Sequence, residues 1–223
     1  MNFVEYPDRE LMFFDLADQL ASELSAALRQ KDRVSFCVPG GTTPGPVFDV
    51  LSDLRLEWER VVVFLNDERW VPESSPRSNT RLLRERLLKG RAAAATLVPL
   101  YVEADEPEWR LSELSEGIEP YLPIDVLLLG MGTDMHTASL FPGADRLKEA
   151  LHPEAPILVP MRAETAGEAR ITLSARVLSD AMACHILILG PEKRAALQRA
   201  QRLPPEEAPV RAVLANATVH WAE

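Results

Sequence analysis

Short β-rich runs alternate with stretches of helical apolar spacing along this chain, and that alternation restricts the fold more than any other feature of the sequence. The runs lie at residues 34–38, 61–65, 125–130, 170–173 and 185–189. The run at 125–130 (DVLLLG) has no polar alternation, which is typical of a strand buried on both faces. Because parallel strands need crossovers that helices usually supply, we expect one α/β domain over residues 1–223. Its centre would be a largely parallel, Rossmann-like sheet with helices on both faces.

The other elements are predicted from apolar spacing and from turn residues. Helices are expected at residues 11–28, 46–54, 80–89, 109–121, 176–183 and 191–201. The polar segment 66–79, which contains prolines, is predicted to be a loop. A small strand is expected within 96–101, and residues 210–214 and 218–221 are predicted to form a last pair of strands. The polar loops considered below all follow strands, where parallel sheets bind their ligands.

Composition excludes several classes of protein. The formal net charge is −10 and no basic run is present, which argues against a nucleic acid partner because such proteins need clustered Lys and Arg. Cys37 and Cys184 lie in apolar runs without the spacing of a zinc site, so both are predicted to be core residues. No stretch approaches the roughly 18 apolar residues of a membrane span, and the first residues do not resemble a signal peptide. We therefore expect a cytoplasmic protein with no membrane partner.

The segment VPGGTTPG, residues 38–45, places glycines and hydroxyls where a strand gives way to a helix. Gly40 and Gly41 would let backbone N–H groups approach an anion, and Thr42 and Thr43 would add hydroxyl donors beside a helix N-terminus. The pattern is neither the dinucleotide fingerprint nor a P-loop. A tight turn with a threonine as helix cap is the alternative interpretation.

Two cations are expected to lie near this loop. Arg170 begins one predicted strand, and Lys193 follows the strand at 185–189 by a few residues. Each residue alone would be interpreted as a solvated surface charge. Backbone donors, a lysine and a forked guanidinium together form a good phosphate site, so their joint placement favours phosphate binding.

Two loops contain candidate reactive groups. His136 lies in GMGTDMHTASLFPG after the most apolar strand, where it could be a general base, with Asp134 fixing its tautomer, or a structural imidazole. Asp67, Glu68 and Arg69 follow the strand at 61–65, where they could orient a substrate and stabilise an oxyanion, or form a salt-bridged loop. No metal-binding motif or serine-hydrolase elbow is present. We therefore predict neither a metal nor a cofactor.

Five motifs occur in the order and spacing of one known family: PGGTTP, NDERWVP followed by SN, LLLGMGTDMHTASLFPG, RITL and LGPEK. Over residues 38–197 the chain resembles 6-phosphogluconolactonases of the glucosamine/galactosamine-6-phosphate isomerase superfamily. The resemblance implies metal-independent hydrolysis of 6-phosphoglucono-1,5-lactone to 6-phosphogluconate, in the oxidative pentose phosphate pathway. It also implies that His136 activates water, that Arg170, Lys193 and residues 40–43 hold the sugar phosphate, and that Asp67 and Arg69 line the pocket.

One departure and two rival functions follow from the same comparison. The family usually has Asp-Gly-His where this chain has Met135 before the histidine, and a positive φ at that position would strain methionine. Amino-sugar phosphate deaminases or isomerases have a glutamate where this chain has Phe141, and a phenyl ring cannot move protons. Sugar-phosphate sensing domains of transcription regulators need a helix-turn-helix segment or a basic arm, and neither is evident here.

Overall fold

The computed structural model describes residues 1–223 as a seven-stranded sheet, a three-stranded sheet and eight α-helices. The strands are β1 (Asn2–Glu5), β2 (Val34–Val38), β3 (Val61–Leu65), β4 (Asp67–Arg69), β5 (Thr96–Leu97), β6 (Val126–Gly130), β7 (Leu158–Met161), β8 (Arg170–Leu173), β9 (Ala183–Leu189) and β10 (Ala217–Ala222). The helices are α1 (Arg9–Leu28), α2 (Gly45–Asp53), α3 (Asn79–Arg86), α4 (Leu111–Ile118), α5 (Leu147–Ala150), α6 (Ala175–Ser179), α7 (Gly190–Ala200) and α8 (Arg211–Leu214). No helix combines the length and the apolar character that a bilayer crossing requires.

The large sheet has the strand order β1-β10-β9-β6-β2-β3-β5, and every neighbouring pair in it is parallel. Strands β9, β6, β2 and β3 are therefore adjacent, and their carboxyl ends meet at one edge. All five residues of β2 and of β3 are buried, as expected for the middle of a covered parallel sheet. The predicted α/β fold with a largely parallel sheet is confirmed.

Helices cover both faces of this sheet, as neighbouring residues of β10 show. His220 faces α1, because it hydrogen-bonds to His185 of β9, and His185 contacts Glu23 of α1 at 2.8 Å. Trp221 faces the other way, and the guanidinium of Arg194 in α7 lies 4.4 Å from its ring centroid. Because successive side chains of a strand point to opposite faces, α1 and α7 lie on opposite sides of the sheet.

Local sequence explains how the first helix forms and packs. The side chain of Asp8 accepts a hydrogen bond from the backbone N–H of Leu11 at 2.8 Å, which caps the start of α1. Its buried face repeats at every fourth residue, which is the spacing of one helical stripe: Met12, Leu16, Leu20, Leu24 and Leu28. These side chains join one apolar cluster of 61 buried residues that runs through the whole chain. The cluster also contains Cys37 and Cys184 as free thiols, which confirms that both are core residues.

The three-stranded sheet was not expected, because part of it lies in a segment predicted to be a loop. It has the antiparallel order β4-β8-β7, and β4 lies within the polar segment 66–79. The prediction is wrong there because the strand forms by pairing with β8 about a hundred residues later, which local composition does not reveal. Within this sheet Arg69 lies opposite Arg170.

The end of the chain also differs in part from expectation. Residues 218–221 lie in β10 as predicted, but residues 210–214 are not a strand, since α8 (Arg211–Leu214) forms there. The backbone N–H of Val213 donates to the carbonyl of Val210 at 3.1 Å, so a single helical turn overrides the β preference of the valines. The strands β1 and β7 and the short helix α5 were not predicted.

Candidate active site

The loops that follow β2, β3, β6 and β9 surround one cavity of about 240 Å³ at the carboxyl edge of the large sheet. Sequence analysis had selected Gly40, Asp67, His136, Arg170 and Lys193 as candidates, and all five line this cavity. They come from widely separated parts of the chain, and the parallel strand order brings them together.

The glycine-containing loop after β2 forms one side of the cavity. Gly40, Gly41 and Thr43 line it, whereas Thr42 is exposed and does not. A Cβ atom on Gly40 would lie 2.1 Å from the side chain of Asn79, so only glycine fits at this close approach. Helix α2 begins without a side-chain cap, so the alternative role of a threonine as helix cap is not observed.

The imidazole of His136 is held by its own loop. Nδ1 of His136 lies 2.5 Å from Oδ1 of Asp134, and the same oxygen accepts the backbone N–H of His136 at 3.1 Å. A Cβ atom on Gly132 would lie 2.1 Å from Nδ1, so the ring packs directly on the glycine backbone. The ring of Phe141 covers another side, with a centroid separation of 4.6 Å. Nε2 of His136 makes no hydrogen bond within the protein.

Asp134 does not line the cavity, and it contacts the His136 ring through Nδ1. Partial burial alone would raise the pKa of Asp134, but the hydrogen bond from His136 and the histidine charge outweigh burial and lower that pKa below its usual value. An ionised carboxylate only accepts hydrogen bonds, so Nδ1 of His136 is the protonated nitrogen. In the neutral imidazole, Nε2 therefore keeps its lone pair.

Met135 has a φ of +68°, in the left-handed region. A positive φ was the condition expected to strain methionine at this position, so the backbone of Met135 is strained. Its backbone carbonyl accepts the N–H of Val210 at 3.0 Å, which holds the turn in place. The strained turn leaves His136 in the cavity wall.

Asp67 and Arg170 form a buried ion pair in the cavity wall. Nη1 of Arg170 lies 3.8 Å from Oδ2 of Asp67, and the same oxygen accepts the hydroxyl of Ser139 at 2.6 Å. Arg170 also donates from Nη2 to the carbonyl of Ala166 at 3.1 Å. Burial lowers the pKa of Arg170 below its usual value, and the charge of Asp67 opposes that shift.

Glu68 and Arg69 have different positions, although they are neighbours in sequence. Arg69 lines the cavity and donates from Nη1 to the carbonyl of Arg77 at 2.7 Å. Glu68 is fully buried away from the cavity, where its carboxylate accepts the backbone N–H groups of Asn79 and Thr80 at 2.8 and 2.7 Å. Burial raises the pKa of Glu68, and these hydrogen bonds oppose the shift. Glu68 thus fixes the start of α3 and is not itself a lining residue.

Lys193 lies in the first turn of α7 and reaches the cavity from the β9 side. It donates to the carbonyl of Met131, at the loop that carries His136. Partial burial lowers the pKa of Lys193, and the charge of Asp134 opposes that shift. No group of three or more His, Cys, Asp or Glu side chains is arranged to hold a metal ion.

Sequence reasoning assigned no role to three polar residues at or beside this site. Asn66 and Asn79 line the cavity, and Ser139 holds Asp67 from outside it. Asn66 had a usable signal, because it is the first polar residue after the apolar strand β3. Ser139 had none, because its contact with Asp67 joins segments 72 residues apart.

The family described as glucosamine-6-phosphate isomerases/6-phosphogluconolactonase matches residues 7–221 of this chain. The chain belongs to this family. Among curated members of the glucosamine-6-phosphate isomerase/6-phosphogluconolactonase family, the 6-phosphogluconolactonase of Mesorhizobium japonicum is 41% identical over 99% of this chain and 95% of its own length. That of Rhizobium meliloti is 43% identical over 93% of this chain and 92% of its own length.

Solved structures of the family have the same architecture. The crystal structure of a 6-phosphogluconolactonase from Shewanella baltica superposes with a TM-score of 0.96 at 32% identity, covering 100% of this chain and 98% of that one. A putative 6-phosphogluconolactonase from Neisseria gonorrhoeae superposes with a TM-score of 0.90 at 35% identity, covering 100% of both chains. The resemblance deduced from the five sequence motifs is therefore confirmed.

Proposed function

We propose that this protein hydrolyses 6-phosphoglucono-1,5-lactone to 6-phosphogluconate, without a metal, and that His136 is the general base. The observation that carries the proposal is that an oriented imidazole, the glycine loop and the cations Arg170 and Lys193 line one cavity. The relatives named 6-phosphogluconolactonase, at 41% and 43% identity, support the same substrate. The reaction would take place in the cytoplasm, with which the two free thiols are consistent.

His136 is suited to activate water because its two ring nitrogens have separate partners. Nδ1 is occupied by Asp134, so Nε2 would accept a proton from a water molecule as that water attacks the lactone carbonyl. The attack forms a tetrahedral oxyanion. Collapse of the oxyanion breaks the bond to the ring oxygen, which takes the proton back from the imidazolium. The product is an open-chain acid that ionises at neutral pH and releases one proton to solvent.

The cations and the glycine loop would bind the phosphate and stabilise the developing negative charge. Arg170 and Lys193 supply positive charge, and Gly40 and Gly41 leave backbone room for an anion. Arg69 and Asp67 would orient the polar groups of the sugar. Because a lactone is an activated ester, hydrolysis needs little more than a correctly placed base and stabilisation of the oxyanion. The binding energy of the remote phosphate would orient the lactone carbonyl toward the attacking water.

A pH-stat assay with freshly generated lactone tests the proposal. The wild-type protein is expected to release acid faster than the spontaneous reaction, and His136→Ala is expected to lose about 10²–10⁴-fold in kcat. Lys193→Ala is expected mainly to raise KM, because it removes a charge that holds the phosphate. Wild-type turnover retained by His136→Ala would refute the general base.

The same preparation separates the rival functions. Ammonia released from glucosamine 6-phosphate would indicate a deaminase, and binding of sugar phosphates with no turnover would indicate a sensor. The contact between Phe141 and His136 supports the lactonase, because a phenyl ring lies on the ring of the base, where a deaminase is expected to have a glutamate.

A further inference from the structure

Asn66 stands at the junction of the two sheets, between β3 and β4, and is fully buried. Its backbone N–H donates to the carbonyl of Val38 in β2 at 2.9 Å, and its own carbonyl accepts the N–H of Leu173 in β8 at 2.9 Å. Its side-chain Nδ2 donates to the carbonyl of Leu128 in β6 at 3.1 Å. Three different strands therefore fix this residue, and it lines the cavity.

The orientation of the Asn66 amide follows from its one side-chain contact. A carbonyl can only accept, so the NH₂ group must face Leu128 and the oxygen must be on the other side of the amide. That oxygen, Oδ1, is buried and has no donor within the protein. A buried acceptor without a donor is unfavourable, and an occupant of the cavity that Asn66 lines would be able to supply the donor.

Unpartnered polar atoms are concentrated at this cavity. Four buried side-chain polar atoms lack a hydrogen-bond partner, and three of them belong to cavity-lining residues: Asn66 Oδ1, Arg69 Nε and Arg170 Nε. The two guanidinium nitrogens are donors, which suit an anion or a carbonyl. Asn66 Oδ1 is an acceptor, which a phosphate or a carboxylate would not satisfy. It therefore needs a group that donates, such as the hydroxyls of a sugar.

We infer that Asn66 is a specificity-determining residue whose Oδ1 accepts a hydrogen bond from one ring hydroxyl of the substrate. The inference rests on the proposed lactonase function and extends it to recognition of the sugar. Discrimination would arise because a substrate that lacks this hydroxyl leaves the buried oxygen unpaired. Sites built to hydrogen-bond a substrate hydroxyl strongly reject the analogue that lacks it, because their buried polar group is then left unpaired.

The test measures kcat/KM for the natural lactone and for its 2-, 3- and 4-deoxy analogues, each divided by the spontaneous hydrolysis rate of the same compound. For the wild type, we expect one of the three analogues to lose about 5- to 150-fold. For Asn66→Ala, we expect the natural lactone to lose a similar factor and that one analogue to be hydrolysed as well as the natural lactone. Ser174→Ala is a matched control, because its Oγ is also buried and unpartnered but lies away from the cavity.

Several outcomes would overturn the inference. Equal discrimination by the wild type and Asn66→Ala would do so, and so would a wild type that treats all three analogues alike, as expected if water satisfies Oδ1. Where Asn66→Ala does not fold, the wild-type series can still overturn the inference by showing no discrimination among the analogues. Absence of any lactone hydrolysis by the wild type is a different result, which removes the proposed function and the role of Asn66 with it.

Discussion

Nδ1 of His136 donates to Oδ1 of Asp134 across 2.5 Å, behind a ring whose other nitrogen has no partner in the protein. This contact sets the tautomer, and the backbone N–H of His136, bonded to the same oxygen at 3.1 Å, sets the direction of the loop. Asp134 therefore determines what the imidazole can do, although it does not itself line the cavity.

Asp134→Asn should reduce turnover more than it reduces binding. Asparagine lacks the negative charge that favours the imidazolium, and its NH₂ group can hold the wrong tautomer. We expect kcat to fall about tenfold or more, up to the roughly 10²–10⁴-fold that the general base itself contributes, while KM changes little. Acid release in a pH-stat measures both constants. Asp180→Asn, at an exposed carboxylate, is the control, and an unchanged kcat in Asp134→Asn would contradict the assignment.

The strain at Met135 can be isolated by comparing two small residues at that position. Met135→Gly and Met135→Ala both remove the side chain beyond Cβ, so their difference reports the cost of the positive φ, reduced by the greater freedom of glycine in the unfolded chain. We expect the glycine variant to have the higher free energy of unfolding by about 1 kcal/mol, because alanine is disfavoured in the left-handed region. At Asp18, an exposed site inside α1, the order should reverse, since glycine is worse than alanine in a helix by about 1 kcal/mol. Urea unfolding measures both pairs, and the same order at the two sites would contradict the strain.

Glu68→Gln should destabilise the protein, although it changes only one charged group. The carboxylate accepts the backbone N–H groups of Asn79 and Thr80, and an amide NH₂ placed there would face donors. We expect the free energy of unfolding to fall by about 2 kcal/mol, as for a buried donor left without its acceptor. Glu73→Gln, in the loop after β4, removes only an exposed ion pair with Arg84 and should change the free energy of unfolding by less than about 1 kcal/mol. Equal effects of the two substitutions on the urea midpoint would show that Glu68 has no special role.

Acid should destabilise the protein through His220. Burial lowers the pKa of this histidine to about 4, the charge of His185 adds to the shift, and Asp15 and Glu23 oppose it. Tyr6 faces the ring as well, with its hydroxyl 3.0 Å from Nδ1. Because the unfolded state takes up the proton first, near pH 6.5, this contribution to stability is present above that pH and is lost as the pH falls towards 4.

The loss expected from His220 between these two pH values is about 3 kcal/mol. Urea unfolding at several pH values measures it. His220→Gln, which keeps polar atoms in place without the titration, should have a shallower decline of stability with acid than the wild type. His152→Gln, at an exposed histidine, should decline as the wild type does. Parallel curves for wild type and His220→Gln would refute the prediction.

The sequence was sufficient to predict most strands of the large sheet, though not β1, and most of the cavity, because these depend on local patterns. Strands such as β3 are continuous apolar runs, and the residues that follow them must lie at the carboxyl edge. His136, Lys193 and the glycine loop were found in this way. The sequence could not show that Thr42, unlike Thr43, does not line the cavity, since neighbouring residues of one turn point in different directions.

The features that were missed depend on contacts between distant segments. Strand β4 consists of three charged residues and forms only because β8 pairs with it. Strand β7 contains Pro160, which argues against a strand in sequence but is tolerated at the edge of the small sheet. The position of Asn66 after β3 was readable from the sequence, but its unpaired oxygen was not, since that oxygen is identified only when the contact with Leu128 is known.

The position of β10 has a consequence for how the protein is made. This last strand lies between β9 and β1, and β1 has no other neighbour in the sheet. During synthesis the first strand leaves the ribosome long before its one partner, β10, has been made. The nascent protein must therefore keep β1 unpaired in this sheet until β10 has also emerged.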